Sequence, residues 1–408
     1  MFEFLNEKHL SIFLGFFLGS LLISYAVSNI FLVAGLVIGV AFLIKNKRIS
    51  FNRTSILIVL YYIWGVCSLL WTTNVANTIH GIVKQLPLLI IPFFFAQYPK
   101  FNSENITKIL RIFSLCVVSY FAVCIAHSFY QFNIHHKIDV FFYHSFVSLF
   151  DNNAIYVSCF TAFSLLGLIN FVKKKNTWDF VLIFFLSVFL FLLSSKNLII
   201  STIFIQIIIS LKRSVHKKTH IICFLLIFII FLFVFLLTNN ELKNRFLFEI
   251  NSNFTYVWNT TEFYDYVWTG SSLRFLQMKI AWEMFQYNHI GLLGLGLANA
   301  KHLLQEYYEH YNLYEEFYTY NFHNQYLQTL IELGFIGFLL LTSFIVYGFY
   351  WSIKRKNLCI FIVLTLISFL FFTESFFSRQ KGILFFMVVF CIFSNVKEST
   401  LSCTDKTN

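Results

Sequence analysis

Charge is what this sequence has least of. Only 12% of its 408 residues are Asp, Glu, Lys or Arg, against 58% hydrophobic, and the mean hydropathy is +0.72. A soluble domain of this length cannot keep such a surface in water, so an all-α integral membrane protein is expected. Proline is nearly absent. The three residues, Pro87, Pro92 and Pro99, cluster at one apolar run and predict a broken or kinked helix there. Of the eight cysteines, seven (Cys67, Cys116, Cys124, Cys159, Cys223, Cys359 and Cys391) stand in or beside apolar runs, and Cys403 stands in the tail. None falls between residues 239 and 322, the longest polar stretch, so disulfide stapling of that stretch and a C-x-x-C metal site are both excluded. The default role for these thiols is a small buried hydrophobe. The five aspartates form no D-x-D, and no H-x-x-H or H-E-x-x-H pair occurs, so neither a metal site nor a cofactor is expected. His135-His136 is adjacent rather than spaced for chelation and reads as an exposed loop pair.

What is present is apolar sequence in long runs. Stretches near the roughly 17 to 25 residues that a spanning helix needs occur around 9–28, 29–44, 55–71, 84–98, 108–130, 154–172, 178–194, 197–211, 220–238, 327–351, 358–373 and 380–395. They predict about twelve transmembrane helices with one large periplasmic loop. The first run passes directly into the second with no small-residue cleavage site, which favours an anchored helix over a removed signal peptide. With the N-terminus inside, the clusters Lys45/Lys47/Arg48/Arg53, Lys173/Lys174/Lys175, Lys212/Arg213/Lys217/Lys218 and Lys354/Arg355/Lys356 all fall on the cytoplasmic side, as the positive-inside rule requires. The net charge of +11 is thus mostly a topology signal. Membrane lipid is the expected environment and nucleic acid is not an expected partner. The organisation follows: 1–238 as a membrane domain of about nine helices, 239–322 as the periplasmic loop, 323–395 as about three further membrane helices, and 396–408 as a cytoplasmic tail.

The outer segment re-enters the membrane at Phe322-His323-Asn324-Gln325, with Leu333-Gly334-Phe335-Ile336-Gly337 further on. On a straight helix advancing about 100° per residue, Gly334 and Gly337 fall within roughly 40° of the His323 direction. Glycines on such a stripe let a neighbouring helix approach closely in lipid, which would mount an imidazole at the outer end of a packed post. Upstream, Ser272 to Ala298 reads as an amphipathic helix with Leu273, Leu276, Ile280, Ala281, Met284 and Phe285 on its apolar side. It leads into the tight turn Gly291-Leu292-Leu293-Gly294-Leu295-Gly296. No strand precedes Gly294-x-Gly296, so it is a turn and not a phosphate loop. Further polar groups at the outer boundary are Lys84, Asn153, Tyr156, Glu374, Arg379, Gln380 and Lys381. A structural Glu374–Arg379 pair and a substrate contact are both open there. The aromatic run from Tyr307 to Tyr320 suits sugar stacking and an interfacial belt equally.

The spacing H-N-x9-G-x-x-G at His323, Asn324, Gly334 and Gly337 resembles the signature of the bacterial O-antigen ligase family, relatives of the O-antigen polymerases. Arg274, with Ser271, Ser272, Leu273, Phe275 and Trp282 around it, resembles the arginine that opens a helix of that family's outer loop. Where the family carries a further arginine at the outer end of a membrane helix, Ser194-Ser195-Lys196 departs with a lysine, which keeps the charge but loses the bidentate fork. The resemblance implies a class C glycosyltransferase-like fold in the cell inner membrane. It also implies transfer of a glycan from undecaprenyl pyrophosphate to the lipid A core of lipopolysaccharide, with inversion at the anomeric carbon. On that reading His323 is the general base and Arg274 a catalytic cation. Lys196, Arg274, Asn324, Lys84 and Arg379 are substrate-binding, and Gly334 and Gly337 are structural. Two alternatives stand: a polymerase with the same donor and a lipid-linked acceptor, and a polysaccharide transporter. A transporter calls for internal repeats and mid-membrane charges, and no obvious repeat is present.

Overall fold

The computed structural model describes residues 6–47, 53–211, 247, 249, 252–263, 266–287 and 290–397. In chain order its main helices are α1 (Glu7–Ser20), α2 (Tyr25–Asn46), α3 (Ile56–Cys67), α4 (Val75–Gln85), α5 (Pro87–Phe95), α6 (Ser103–His135), α7 (Ala154–Phe171), α8 (Thr177–Leu192), α9 (Lys196–Leu211), α10 (Phe254–Asn259), α11 (Gly270–Tyr287), α12 (Ala300–His310), α13 (Gln325–Lys354), α14 (Leu358–Phe371) and α15 (Gln380–Ser394). Every apolar run of the sequence that falls on described residues carries a helix. The run at 220–238 and the Lys212–Lys218 cluster lie outside the described residues. Among the described residues, six helical segments are long and apolar enough to cross a membrane, and α8, α9, α14 and α15 are shorter apolar helices.

Asparagines set many of the starts. Asn74, Asn102, Asn176, Asn324 and Asn357 each accept a hydrogen bond from a first-turn amide, so one orphan donor of each of these helices is met without water. The prolines break one span in two. α4 ends at Gln85 and α5 begins with Pro87 at its first position, where a missing N–H costs nothing. α7 is the central post, buried along almost its whole length. α2 instead turns Ile30, Val33, Val37 and Ile44 outward at helical spacing, each more than half exposed. An apolar stripe facing out at that spacing is a lipid-facing surface.

The direction of each helix sorts the charges. α13 runs away from His323, α14 returns to Thr373, and α15 runs away again until Phe393, whose carbonyl accepts from Asn357 Nδ2 at 2.9 Å. Lys354–Lys356 therefore lie at the end of the bundle opposite His323. Tyr98 and Phe101 pair with Asn395 and Val396 at that same end, Asn46 donates to Gln97 there, and Lys397 reaches Glu7.

A second apolar core sits apart from the membrane one. Val257, Phe263, Leu273, Leu276, Ile280, Met284, Leu304, Tyr308 and Phe322 build it from α10, α11, α12 and the segment before α13. The helix expected from Ser272 is α11, starting two residues earlier and ending at Tyr287. Its named apolar positions are buried, except Phe285, which is exposed.

The straight stripe through His323, Gly334 and Gly337 is not what forms. α13 starts only at Gln325, and its backbone breaks at Gly334 (φ 65°, ψ −167°). The glycine turn after α11 fills the break. Leu295 N and Gly296 N donate to the carbonyls of Ile331 and Glu332 at 3.0 and 2.8 Å, while Phe335 N and Ile336 N donate to Gly291 O and Leu292 O at 3.2 and 3.3 Å. A helix interrupted at membrane depth must satisfy its freed groups inside the protein, and this loop does so. Gly334 thus approaches loop backbone rather than a neighbouring helix. An added Cβ would lie 2.3 Å from Leu292 O, and one on Gly337 would lie 2.3 Å from the Cβ of Leu333 in its own helix.

Candidate active site

Three helix starts converge on one turn, Phe372-Thr373-Glu374-Ser375, between α14 and α15. The first is that of α13. Asn324 caps it, accepting from Leu327 N at 3.1 Å, and its own N–H donates to Ser375 Oγ at 3.3 Å. His323, just before the cap, holds a left-handed backbone (φ 43°), with its N–H on Asn321 Oδ1 at 3.0 Å. A non-glycine residue kept in this region stores strain that surrounding structure must enforce, and such positions cluster at functional sites. The His323 side chain is 22% exposed and its Nδ1 lies 3.4 Å from Glu374 Oε2, whose side chain is 2% exposed. A bond donated by Nδ1 to this carboxylate would leave Nε2 as the accepting nitrogen. Tyr320 stands edge-on to the imidazole at 5.3 Å.

The second start is that of α11. Thr269 and Ser272 close it with reciprocal bonds, Ser272 N to Thr269 Oγ1 and Thr269 N to Ser272 Oγ, both 2.9 Å. One turn in, Arg274 donates from Nε to the Thr373 carbonyl at 3.3 Å and from Nη1 to Gly270 O at 3.0 Å. Two of five N–H donors are thereby used to aim the guanidinium. The third start is that of α9, pinned by Asn197 Nδ2 to Phe369 O at 2.6 Å and Thr373 Oγ1 at 2.7 Å. Lys196 opens this helix and forms an ion pair with Glu249. Glu249 Oε1 and Arg274 Nη1 both border Gly270, so the Lys196–Glu249 pair sits next to the arginine.

Of the residues expected in the site, His323, Asn324, Arg274 and Lys196 are thus brought to one turn. Lys84 and Arg379 are brought together elsewhere, as lining of a cleft beside Ser378. The sequence reading underrated Glu374, which it weighed as a partner for Arg379. It faces His323, and Arg379 lies over the Tyr156 ring at 5.8 Å. The signal was a lone carboxylate closing an apolar run, and its partner could not be read from spacing because the two lie 51 residues apart in separate connections. Lys196 is also less available than its position suggested, because Glu249 shares its charge. The aromatic run divides: Tyr308 and Tyr311 are core, while Tyr314 and Tyr320 are exposed.

Among the described residues, an all-helical bundle with an apolar outer face fits a multi-pass membrane protein. Residues 180–342 match the family model described as O-antigen ligase. The matched segment contains Lys196, Arg274, His323, Asn324, Gly334 and Gly337, and it leaves Lys84, Glu374 and Arg379 outside. No curated protein matches the chain.

Proposed function

We propose that the protein transfers a glycan from undecaprenyl pyrophosphate to the lipid A core of lipopolysaccharide at the periplasmic face of the inner membrane. A polymerase, with the same donor and a lipid-linked acceptor, is the alternative reading of the same site. The observation that carries the proposal is the meeting of His323, backed by buried Glu374, with Arg274 at one turn.

An acceptor hydroxyl lies within hydrogen-bond reach of His323 Nε2 and gives up its proton as its oxygen attacks the anomeric carbon. The new C–O bond forms while the bond from that carbon to the phosphate oxygen breaks. The electron pair departs with undecaprenyl pyrophosphate, and one displacement inverts the centre. Arg274 meets the charge growing on the leaving group, with Lys196 as a weaker second cation because Glu249 shares it. Glu374 balances the imidazolium left behind. Its side chain is buried against Nδ1, 3.4 Å away, and so holds the ring in place as the proton arrives.

The test is transfer in liposomes by the purified protein, from a defined glycan on undecaprenyl pyrophosphate to lipid A core or to a lipid-linked repeat unit. Product on lipid A core is expected, as is accumulation of long glycan on the carrier in a deletion strain. Single repeat units on the carrier would assign the polymerase instead, and no transfer to either acceptor would overturn the reading.

A further inference from the structure

The turn that follows Glu374 has a second polar face. Beside it opens a cavity of about 330 Å3, with His80, Val83 and Lys84 of α4 on one wall, Arg379 and Gln380 on the other, and Tyr25 completing the lining. Among the described residues no carboxylate lines it. The charge acting on Lys84 from outside includes one anion, Glu332, against two cations, Lys301 and Arg379. His80 and Arg379 are exposed. The neighbouring cations rest on aromatic faces and an amide. The Arg379 guanidinium is 5.8 Å from the Tyr156 ring, and Lys381 Nζ is 4.9 Å from the Tyr25 ring and 2.6 Å from Asn152 Oδ1. Positive charge is therefore concentrated here, with Glu332 acting on Lys84 and Asp151 on Lys381 from outside the cleft.

The same helix carries an apolar stripe. Ile79, Val83 and Leu86 are 49%, 62% and 37% exposed and follow one another at helical spacing, alongside the His80 and Lys84 positions. A site with cations at its centre and exposed hydrocarbon along its wall fits an anionic amphiphile better than a free ion, because each part of the ligand meets its own kind of surface.

We propose that this cleft seats the phosphate-bearing head of the acceptor amphiphile, with its hydrocarbon part along Ile79, Val83 and Leu86. This rests on the glycosyl-transfer reading and deepens it. Both acceptors considered there carry phosphate, so the assignment holds for either. Two phosphorylated amphiphiles need two seats. The donor's lies at Arg274 and Lys196, and the cleft flanks the same turn five residues beyond Glu374, which lets the acceptor head be held while its sugar reaches His323.

The test uses the full chain in phosphatidylcholine nanodiscs and dodecyl phosphate as probe, with inorganic phosphate and dodecyl maltoside as the two controls. Saturable binding of dodecyl phosphate beyond that of empty discs is expected, weaker for inorganic phosphate and absent for the maltoside. Losing two charge-assisted contacts in Lys84→Gln/Arg379→Gln should weaken it about tenfold or more. His80→Glu, which alters only an exposed side chain, should do the same and covers the case of a double variant that fails to fold. Unchanged affinity in a folded variant, or equal binding of inorganic phosphate, overturns the proposal. Binding is read without turnover, so a wrong catalytic assignment leaves this arm intact. In the transfer assay the variants should raise the acceptor KM and leave the donor KM in place. A raised donor KM would make the cleft the donor's seat and overturn the acceptor assignment.

Discussion

Replacing Gly334 with alanine separates two accounts of the H-N-x9-G-x-x-G pattern. If α13 were straight, Gly334→Ala would be mild, and a helix interior would gain up to about 1 kcal/mol from it. The structure reverses the sign. At φ 65° and ψ −167° the residue occupies a region that is nearly glycine-only, at a cost of about 1–3 kcal/mol for any other residue. The new Cβ would also sit 2.3 Å from Leu292 O and 2.6 Å from Gly294 N. These are backbone atoms that cannot swing aside, so the loop must withdraw. Its withdrawal loosens the hydrogen bonds between residues 291–296 and the broken helix, each worth about 0.5–1.5 kcal/mol net. Strain plus two such bonds comes to on the order of 4 kcal/mol, in the range reserved for severe substitutions. The assay is the melting temperature of the purified protein in detergent, with transfer activity measured beside it. Gly348→Ala in the same helix is the control, because its Cβ would meet only the tip of the Leu364 side chain, which can move. Gly334→Ala should melt well below wild type and Gly348→Ala close to it. If the two variants melt alike, the inserted-loop account is wrong.

His323→Ala should lower the transfer rate about 10²- to 10⁴-fold, the range for a general base, with donor binding kept; near-normal turnover would remove the histidine from the chemistry. Glu374→Gln should act on kcat more than on either KM. A hydrogen bond to a charged group is worth about 1.5–3 kcal/mol, or roughly ten- to a hundredfold in rate, and a change confined to acceptor KM would contradict the supporting role. Arg274→Lys should keep part of the activity and Arg274→Ala almost none, since charge comes first and fork geometry second at a pyrophosphate; full activity in both refutes the assignment. Lys196→Arg should remain active and Lys196→Glu inactive. Exchanging both partners, Lys196→Glu with Glu249→Lys, should recover melting temperature without recovering turnover, and recovered turnover would make the pair purely structural.

The spans were legible because a spanning helix announces itself by composition. Every apolar run on described residues is helical, and the prolines marked the α4–α5 break to within a residue. Convergence on the Phe372–Ser375 turn was legible where a residue stands beside a helix start that local sequence defines: Asn324 as a cap, Arg274 after the Thr269–Ser272 closure, Lys196 at the head of α9. Pairing was not. Glu374 meets His323, and Glu249 meets Lys196, across separate segments of the chain, and the order in which helices pack is not written in spacing. The break at Gly334 was missed for a related reason. Counting 100° per residue assumes an unbroken helix, and a glycine read as a packing surface is indistinguishable in sequence from one whose φ is positive.

The break changes what the motif's glycines do for the histidine. A post held by a neighbouring helix would fix His323 through membrane packing alone. The observed arrangement ties it to the outer unit as well, because the loop in the break runs directly on from α11, the helix that carries Arg274, while Ile331, just before the break, belongs to the outer apolar core. His323 and Arg274 are thus set by two elements joined at the break and again at the Phe372–Ser375 turn. Two separate attachments constrain relative position far better than one, and a displacement near 1 Å can cost about a hundredfold in rate. Substitutions at Gly334 or Gly294, remote along the chain from His323, should therefore disturb both sides of the site together.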